Sequence, residues 1–339
     1  MRPLTIALAL FVVVGCVQYP DGRFACTADS DCPGALRCAS VDHRCHVNPA
    51  NVDASLDATA SLDTGTSVDT AVDAGPATID LPTLVDPMAL HHPANGTAVQ
   101  VTGTLVALSG RLTVPAGAGH CNYVVWVGDA RGGPHSGIRV YEGYIPPAGV
   151  DGSRPDAGPL NCSTVEGMIP ASIAIGDTVT ALAGRYDLFC PGGATCPSGV
   201  GQEINVTLFG TFTVGAHGPA PASMIVPLVD IAGDATASVT DYQYQGALVQ
   251  LSNVFMQQPP TAGNSWTMTV GTSPTGGSTM PVVVDHFATS ACVAAALAGM
   301  SAGTNIGNVT GILTYSTFGS GRWTIQVRQA TDISGVTGC

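Results

Sequence analysis

The chain has no lysine. All eleven basic residues are arginine, against twenty-four Asp and Glu, for a formal charge of −13. A phosphate-cradling Gly-x-x-x-x-Gly-Lys loop is therefore excluded. Nucleic acid is an unlikely partner as well, because such binding draws on neutralised phosphates and residues 80–339 offer seven arginines to fifteen carboxylates. Only 10% of residues are charged, against about 25% in an ordinary globular domain, and no long amphipathic Glu/Lys helix can be traced. Also missing are a Gly-x-Ser-x-Gly elbow, a His-Glu-x-x-His pair and any Cys-x-x-Cys, the signatures of a serine hydrolase, a zinc protease and a structural zinc site. What remains abundant is Gly, Pro, Thr and Val. That composition points to an all-β protein from an extracytoplasmic compartment, and 339 residues suffice for two folded units plus appendages.

The amino terminus reads as an export signal. Met1-Arg2 is a short positive start, and the apolar run Leu4 to Val14 is too short to span a bilayer as a helix. It ends at Val13-Val14-Gly15-Cys16, which resembles the lipobox of bacterial lipoproteins. The resemblance implies a signal peptide over residues 1–15, cleavage after Gly15, and a thioether from Cys16 to diacylglycerol with acylation, palmitate included, of the new terminus. Each buried methylene contributes about 0.8 kcal/mol, so two or three chains hold the protein on a membrane where one would not. An ordinary secretory signal leaving Cys16 free is the alternative. Val17 follows the anchor in place of Asp, which favours the outer membrane of a bacterial cell envelope. Residues 16–25 then form the anchor segment.

Ten cysteines remain, an even number that suits disulfides in an oxidising envelope. Four of them, Cys26, Cys32, Cys38 and Cys45, fall within residues 26–46, too short a stretch to fold without cross-links. Their spacing resembles the small cysteine-rich modules that follow the anchor in lipoproteins of high-GC Gram-negative bacteria, and loosely Dickkopf-type knots. Of three possible connectivities, Cys26–Cys38 with Cys32–Cys45 is the expectation; a zinc site using His43 or His46 competes with it. Residues 47–78 repeat units such as Val-Asp-Ala and Leu-Asp-Thr without an aromatic. Asp53, Asp57, Asp63, Asp69 and Asp73 repel one another there, so the segment reads as a disordered linker, and the Asp-x-Asp-x-Asp-Gly pattern of a calcium loop is absent.

From Ile79 onward, short alternating runs are separated by Gly, Pro, Asn and Asp, as strands and turns require. They include Val99-Gln-Val-Thr, Tyr123-Val-Val-Trp-Val, Ile138-Arg-Val-Tyr, Thr178-Val-Thr-Ala-Leu and Ile204-Asn-Val-Thr-Leu. The order then recurs. Asn95-Gly-Thr-Ala-Val answers to Gln245-Gly-Ala-Leu-Val, Trp126-Val-Gly-Asp to Thr269-Val-Gly-Thr, Ile175-Gly-Asp to Ile306-Gly-Asn, and Glu203-Ile-Asn-Val to Thr324-Ile-Gln-Val. Two copies of about five strands each resemble the OB-fold, a five-stranded Greek-key barrel found attached to bacterial secreted nucleases and lipoproteins. The expectation is tandem OB-like domains over residues 79–218 and 219–339. The resemblance implies a plugging helix within Asp285–Gly299 of the second copy; in the first copy a Pro/Gly-rich insertion, Ile145 to Pro170, takes that slot. Disulfides are expected as Cys190–Cys196, Cys121–Cys162 and Cys292–Cys339.

Candidate chemistry is thin. His91-His92 is a possible metal pair, but neighbours on a strand point to opposite faces. His120 beside Cys121, and Asp285-His286, are possible acid–base pairs that capping and loop roles explain equally well. Aromatics on an exposed sheet face would stack a polymer. Trp126, Trp266 and Trp323 are assigned to core packing, and Arg139, Tyr141 and Tyr144 are the expected ligand-contact residues, for a protein or saccharide rather than nucleic acid. The reading is a non-enzymatic, envelope-anchored binding or scaffolding protein with neither cofactor nor metal. The alternatives are an oligonucleotide-binding or nuclease-accessory module and an extracellular hydrolase.

Overall fold

The computed structural model describes residues 37–39, 44–46, 76–115, 121–144, 162, 165–189, 200–207, 210–231, 243–260, 267–283, 290–316 and 322–339. Cys16, Cys26, Cys32, Cys190, Cys196, His120, Trp266, Asp285, His286 and nearly all of the linker lie outside them. Residues 1–70 and 71–339 form two units. In the first, β1 (Arg37–Ala39) pairs antiparallel with β2 (Arg44–His46), with Cys38 opposite Cys45. The expected partners Cys26 and Cys32 fall outside the described residues.

The second unit is all-β and holds two barrels. The first is built from β3 (Ala77–Asp80), α1 (Leu81–Val85), β4 (Ala98–Thr102), β5 (Leu105–Ala107), β6 (Leu112–Pro115), β7 (Cys121–Asp129), β8 (Gly137–Tyr144), β9 (Asp177–Leu188), β10 (Gln202–Asn205) and β11 (Thr211–His217). Between β4 and β5 stands Gly103, at φ +116°, so the two act as one bent strand. β5 pairs antiparallel with β7, and β7 with β8. β8 runs parallel to β10, β10 antiparallel to β9, and β9 returns antiparallel to β4 and β5. A closed ring with a single parallel pair is the strand order of the OB-fold.

The second barrel repeats it with β12 (Met224–Ile225), α2 (Leu228–Ile231), β13 (Leu248–Gln258), β14 (Thr267–Ser273), β15 (Gly276–Val283), α3 (Ser290–Ala298), β16 (Asn305–Ser316) and β17 (Arg322–Gln326). β13 pairs with β14, β14 with β15, β15 in parallel with β17, β17 with β16, and β16 with β13. Period-two alternation makes the strands: Val99 and Val101 point inward while Ala98, Gln100 and Thr102 face solvent. Matched positions share burial, Val99 with Val249, Val127 with Val270 and Ile204 with Ile325. Matched glycines share the left-handed backbone, at φ +92° for Gly96 and +71° for Gly246.

The repeat extends further upstream than Asn95 and Gln245. Each barrel is preceded by a short strand parallel to its first strand, with Ala77 opposite Val99 and Met224 opposite Val249, then by a single helical turn. Those turns bury Leu81 and Leu84 in one barrel and Leu228 and Ile231 in the other.

The plugs differ. In the second barrel α3 buries Val293, Ala294 and Leu297 among the core residues. In the first, the described residues 165–176 contain no helix, and Ile169 and Ile173 fill the core from irregular backbone. Buried Glu142 fastens that backbone, its carboxylate accepting from Met168 N at 2.7 Å and Ile169 N at 2.8 Å. Cys121–Cys162, with Cα atoms 5.5 Å apart, ties the insertion to β7, and Cys292–Cys339, at 5.7 Å, ties α3 to the last residue. Both are pairings expected from the sequence.

The barrels are fused. Val106, Leu108, Leu112, Val124 and Trp126 of the first share a buried cluster with Leu248 and Ile312 of the second. Arg328 reaches across, donating to the Leu108 carbonyl at 3.1 Å while its fork holds Asp332 at 3.0 and 2.9 Å. Gly137 and Gly246 lie backbone to backbone, with no room for a Cβ on either.

Candidate functional site

Register brings the site together. On β8, Arg139 and Tyr141 are two residues apart and share the outer face, because Ile138 and Val140 between and beside them point into the barrel core. Across the parallel ladder Arg139 stands opposite Glu203 and Tyr141 opposite Asn205; across the next ladder Glu203 meets Asp187 and Asn205 meets Arg185. Two rows result, Arg139–Glu203–Asp187 and Tyr141–Asn205–Arg185.

The charges in these rows are paired. Arg139 NH1 donates to Glu203 Oε2, and Arg185 donates to Asp187 Oδ2 through Nε at 3.1 Å and NH2 at 2.8 Å. Asn205 Nδ2 adds a third bond to the same oxygen at 3.2 Å. The Arg139 guanidinium stacks 4.5 Å from the Phe189 ring centroid and 5.6 Å from that of Tyr141, whose hydroxyl donates to Asn122 Oδ1 at 2.8 Å. Arg139 keeps 21% of its side chain exposed and Arg185 25%, whereas Glu203 is buried. The face is thus a charge-balanced polar and aromatic strip, its arginines held by carboxylates and accessible at the edges. Tyr144 ends β8, and its side chain is outside the described residues.

The same rows on the second barrel carry different residues. Pro281 and Val283 stand where Arg139 and Tyr141 do, Thr324 and Gln326 replace Glu203 and Asn205, and Thr314 and Ile312 replace Asp187 and Arg185. Ile312 packs against the first barrel there. Sequence reasoning had found Arg139 and Tyr141. It missed Glu203, Asp187, Arg185, Asn205 and Phe189, although the i, i+2 spacing of Arg185 with Asp187 was available as a same-face signal.

Other sequence candidates are dispersed. Trp126 is 5% exposed in the inter-barrel cluster, and Trp323 is buried in the second core, edge to face with Tyr315 at 5.3 Å. His92 bonds to the Tyr186 hydroxyl, whereas neighbouring His91 is exposed. Among the described residues no group of three potential metal ligands forms. One His–Asp pair does form: His217 Nδ1 lies 2.8 Å from Asp177 Oδ1, a cross-strand pair between β11 and β9 with His217 69% exposed. Among the described residues no serine, threonine or cysteine hydrogen-bonds to that ring.

No protein-family model matches the chain, and no curated protein matches it. Among solved structures the chain is similar to a replication protein A heterotrimer bound to single-stranded DNA, over 70% of this chain and 51% of that one, at 8% identity and a TM-score of 0.26. The chain thus spans about half the length of that protein. It is also similar to the single-stranded DNA-binding protein of Thermus aquaticus, over 70% of this chain and 92% of that one, at 9% identity and a TM-score of 0.20. Scores so low carry no argument, and the OB assignment rests on the strand pairings.

Proposed function

We propose that the protein is a lipoprotein of the bacterial envelope, held by lipid on Cys16, that displays two fused OB barrels as a non-catalytic binding or scaffolding body. A saccharide or peptide would be its ligand. The observation that carries the binding reading is the Arg139–Tyr141–Phe189 strip, which combines a stacked, edge-exposed guanidinium with aromatic faces and fixed carboxylates. Such groups hydrogen-bond hydroxyls and amides while stacking on flat apolar surfaces.

The oligonucleotide alternative is disfavoured by the same geometry. OB barrels take single strands on the face of their second and third strands, here β7 and β8; the β7 half of that face, with Val124 and Trp126, is buried against the second barrel, which leaves only the β8 half, with Arg139 and Tyr141, accessible. Among the described residues the hydrolase alternative has only the exposed His217–Asp177 pair. Among the described residues no helix is long and apolar enough to cross a membrane; the anchor proposed is the lipid on Cys16.

Two measurements test the proposal. Metabolic labelling with radioactive palmitate should mark the wild type and leave Cys16→Ser unmarked and released from membranes; a label-free wild type would end the lipoprotein reading. On glycan and peptide arrays, Arg139→Ala with Tyr141→Ala should lower binding by roughly tenfold or more, the worth of one or two strong contacts. Undiminished binding would remove the strip from the site, and steeply salt-dependent binding of single-stranded DNA would favour the alternative.

A further inference from the structure

Hydrogen bonding within the strip is uneven, and Asp187 shows it best. The residue is 8% exposed, and its Oδ2 accepts from Arg185 Nε at 3.1 Å, Arg185 NH2 at 2.8 Å and Asn205 Nδ2 at 3.2 Å. Among the described residues nothing donates to Oδ1, although that oxygen is not sealed from solvent. A carboxylate oxygen has two lone pairs to fill, so Oδ1 takes its hydrogen bonds from outside the protein. The donors are uneven in the same way. Arg139 commits NH1 to Glu203, and Arg185 commits Nε and NH2 to Asp187. Arg139 Nε and NH2 and Arg185 NH1 donate to no acceptor among the described residues, and they too reach solvent. One ion pair, Arg185 with Asp187, is therefore flanked by an unused donor on one partner and an unused acceptor on the other.

Two properties of the strip narrow what completes it. Its four charges, Arg139 and Arg185 against Glu203 and Asp187, sum to zero within a chain of net charge −13, so an anionic polymer gains nothing from approaching it. The strands beneath have no open edge at this level: β8 lies between β7 and β10, β10 between β8 and β9, and β9 between β10 and β4. A peptide consequently cannot join the sheet as an added strand, and the ligand must meet the side chains face on. Neighbouring hydroxyl groups do so, because each can donate and accept, and the half-buried ring of Tyr141 offers a flat surface to the C–H face of a sugar.

We infer that the strip holds an uncharged saccharide by a vicinal diol, one hydroxyl donating to Asp187 Oδ1 while its neighbour accepts from Arg185 NH1. This rests on the strip being the ligand-contact surface, and it narrows the ligand from saccharide or peptide to one class. Arg139 supplies further donors to the next ring of a chain.

The test uses the full-length protein on immobilised xylan and mannan, neutral and 1,4-linked. Each is presented intact and after periodate cleavage of its vicinal diols with borohydride reduction, beside a linear 1,3-glucan whose internal rings have no such diol. The wild type should bind the intact chains, with the same strength at low and high salt, and should bind the oxidised chains and the 1,3-glucan about tenfold or more weakly, the worth of one charge-assisted hydrogen bond. Asp187→Asn should lose as much on intact chains and lose little more on oxidised ones, a coupling that mere loss of structure would not give. Equal binding of oxidised and intact chains by the wild type would overturn the diol contact; if Arg139→Ala with Tyr141→Ala abolished that binding, the strip would still be the site. Failure to bind either intact glycan would overturn the saccharide class, and peptides captured instead, again lost in the double variant, would keep the strip as the site. Glycan binding that the double variant left whole would remove the strip itself.

Discussion

Single residues carry much of this molecule because it has so few charges to use. Arg328 and Asp332 are 7% and 5% exposed, and the guanidinium also donates through NH1 to the Leu108 carbonyl of the other barrel. Removing one partner strands the other charge out of water. Arg328→Met should destabilise by about 3–5 kcal/mol, read from the urea midpoint, and adding Asp332→Leu should recover much of it. Asp129 behaves differently. It is buried, and the Arg131 fork bonding to both its oxygens holds its carboxyl below the usual carboxylate range. A folded-state value depressed below the unfolded one stabilises above the unfolded pKa and is lost as pH falls through the folded one. Stability of the wild type should therefore decline below about pH 4, and Arg131→Gln should flatten that acid limb in a thermal-melt series.

Elements show what could be read in advance and what could not. The strands were legible because one buried face forces alternation, and paired glycines at φ +92° and +71° mark the same turn in both copies. The turns α1 and α2 were not legible, since four or five residues are too few for a helical period to register. The first plug was hidden for another reason: its backbone is irregular and is held by Glu142 and a disulfide rather than by periodic side chains. Two residues of the candidate strip, Arg139 and Tyr141, were legible from β8 alone. Arg139 and Glu203 are 64 residues apart, and only the parallel β8–β10 pairing, which local sequence does not encode, puts them in contact. Two predictions live at this scale. Gly137→Val would drive a side chain into the Gly246 backbone, so it should cost at least about 1–3 kcal/mol and redden Trp126 fluorescence as the barrels part. Cys339→Ser frees the terminus from α3 and should cost about 2–4 kcal/mol in thermal unfolding under oxidising conditions.

At the scale of the whole body, two similar barrels packed through unlike faces raise the question of whether the contact could propagate from chain to chain. The surfaces joined are different ones, the face of β5, β6 and β7 on one barrel and that of β13 and β16 on the other. A heterologous contact of this kind propagates unless its free ends are altered. Both ends are altered. The knob Trp126 has Thr269 at its place in the second barrel. The socket residues Leu248 and Ile312 have Ala98 and Arg185 at theirs in the first, where Ala98 faces solvent and Arg185 is paired with Asp187. One copy of each surface thus lacks the residues that make the contact, and Arg185, at the place of Ile312, belongs instead to the polar strip of the first barrel. Restoring the lost pair should reverse this. The triple variant Thr269→Trp, Ala98→Leu, Arg185→Ile should form concentration-dependent chains in light scattering, and more readily with Thr279→Gly added, because Thr279 stands at the place of Gly137 in the second barrel and the repeated contact needs the same close backbone approach. A triple variant that stayed monomeric at high concentration would show that features other than these three positions keep the ends apart.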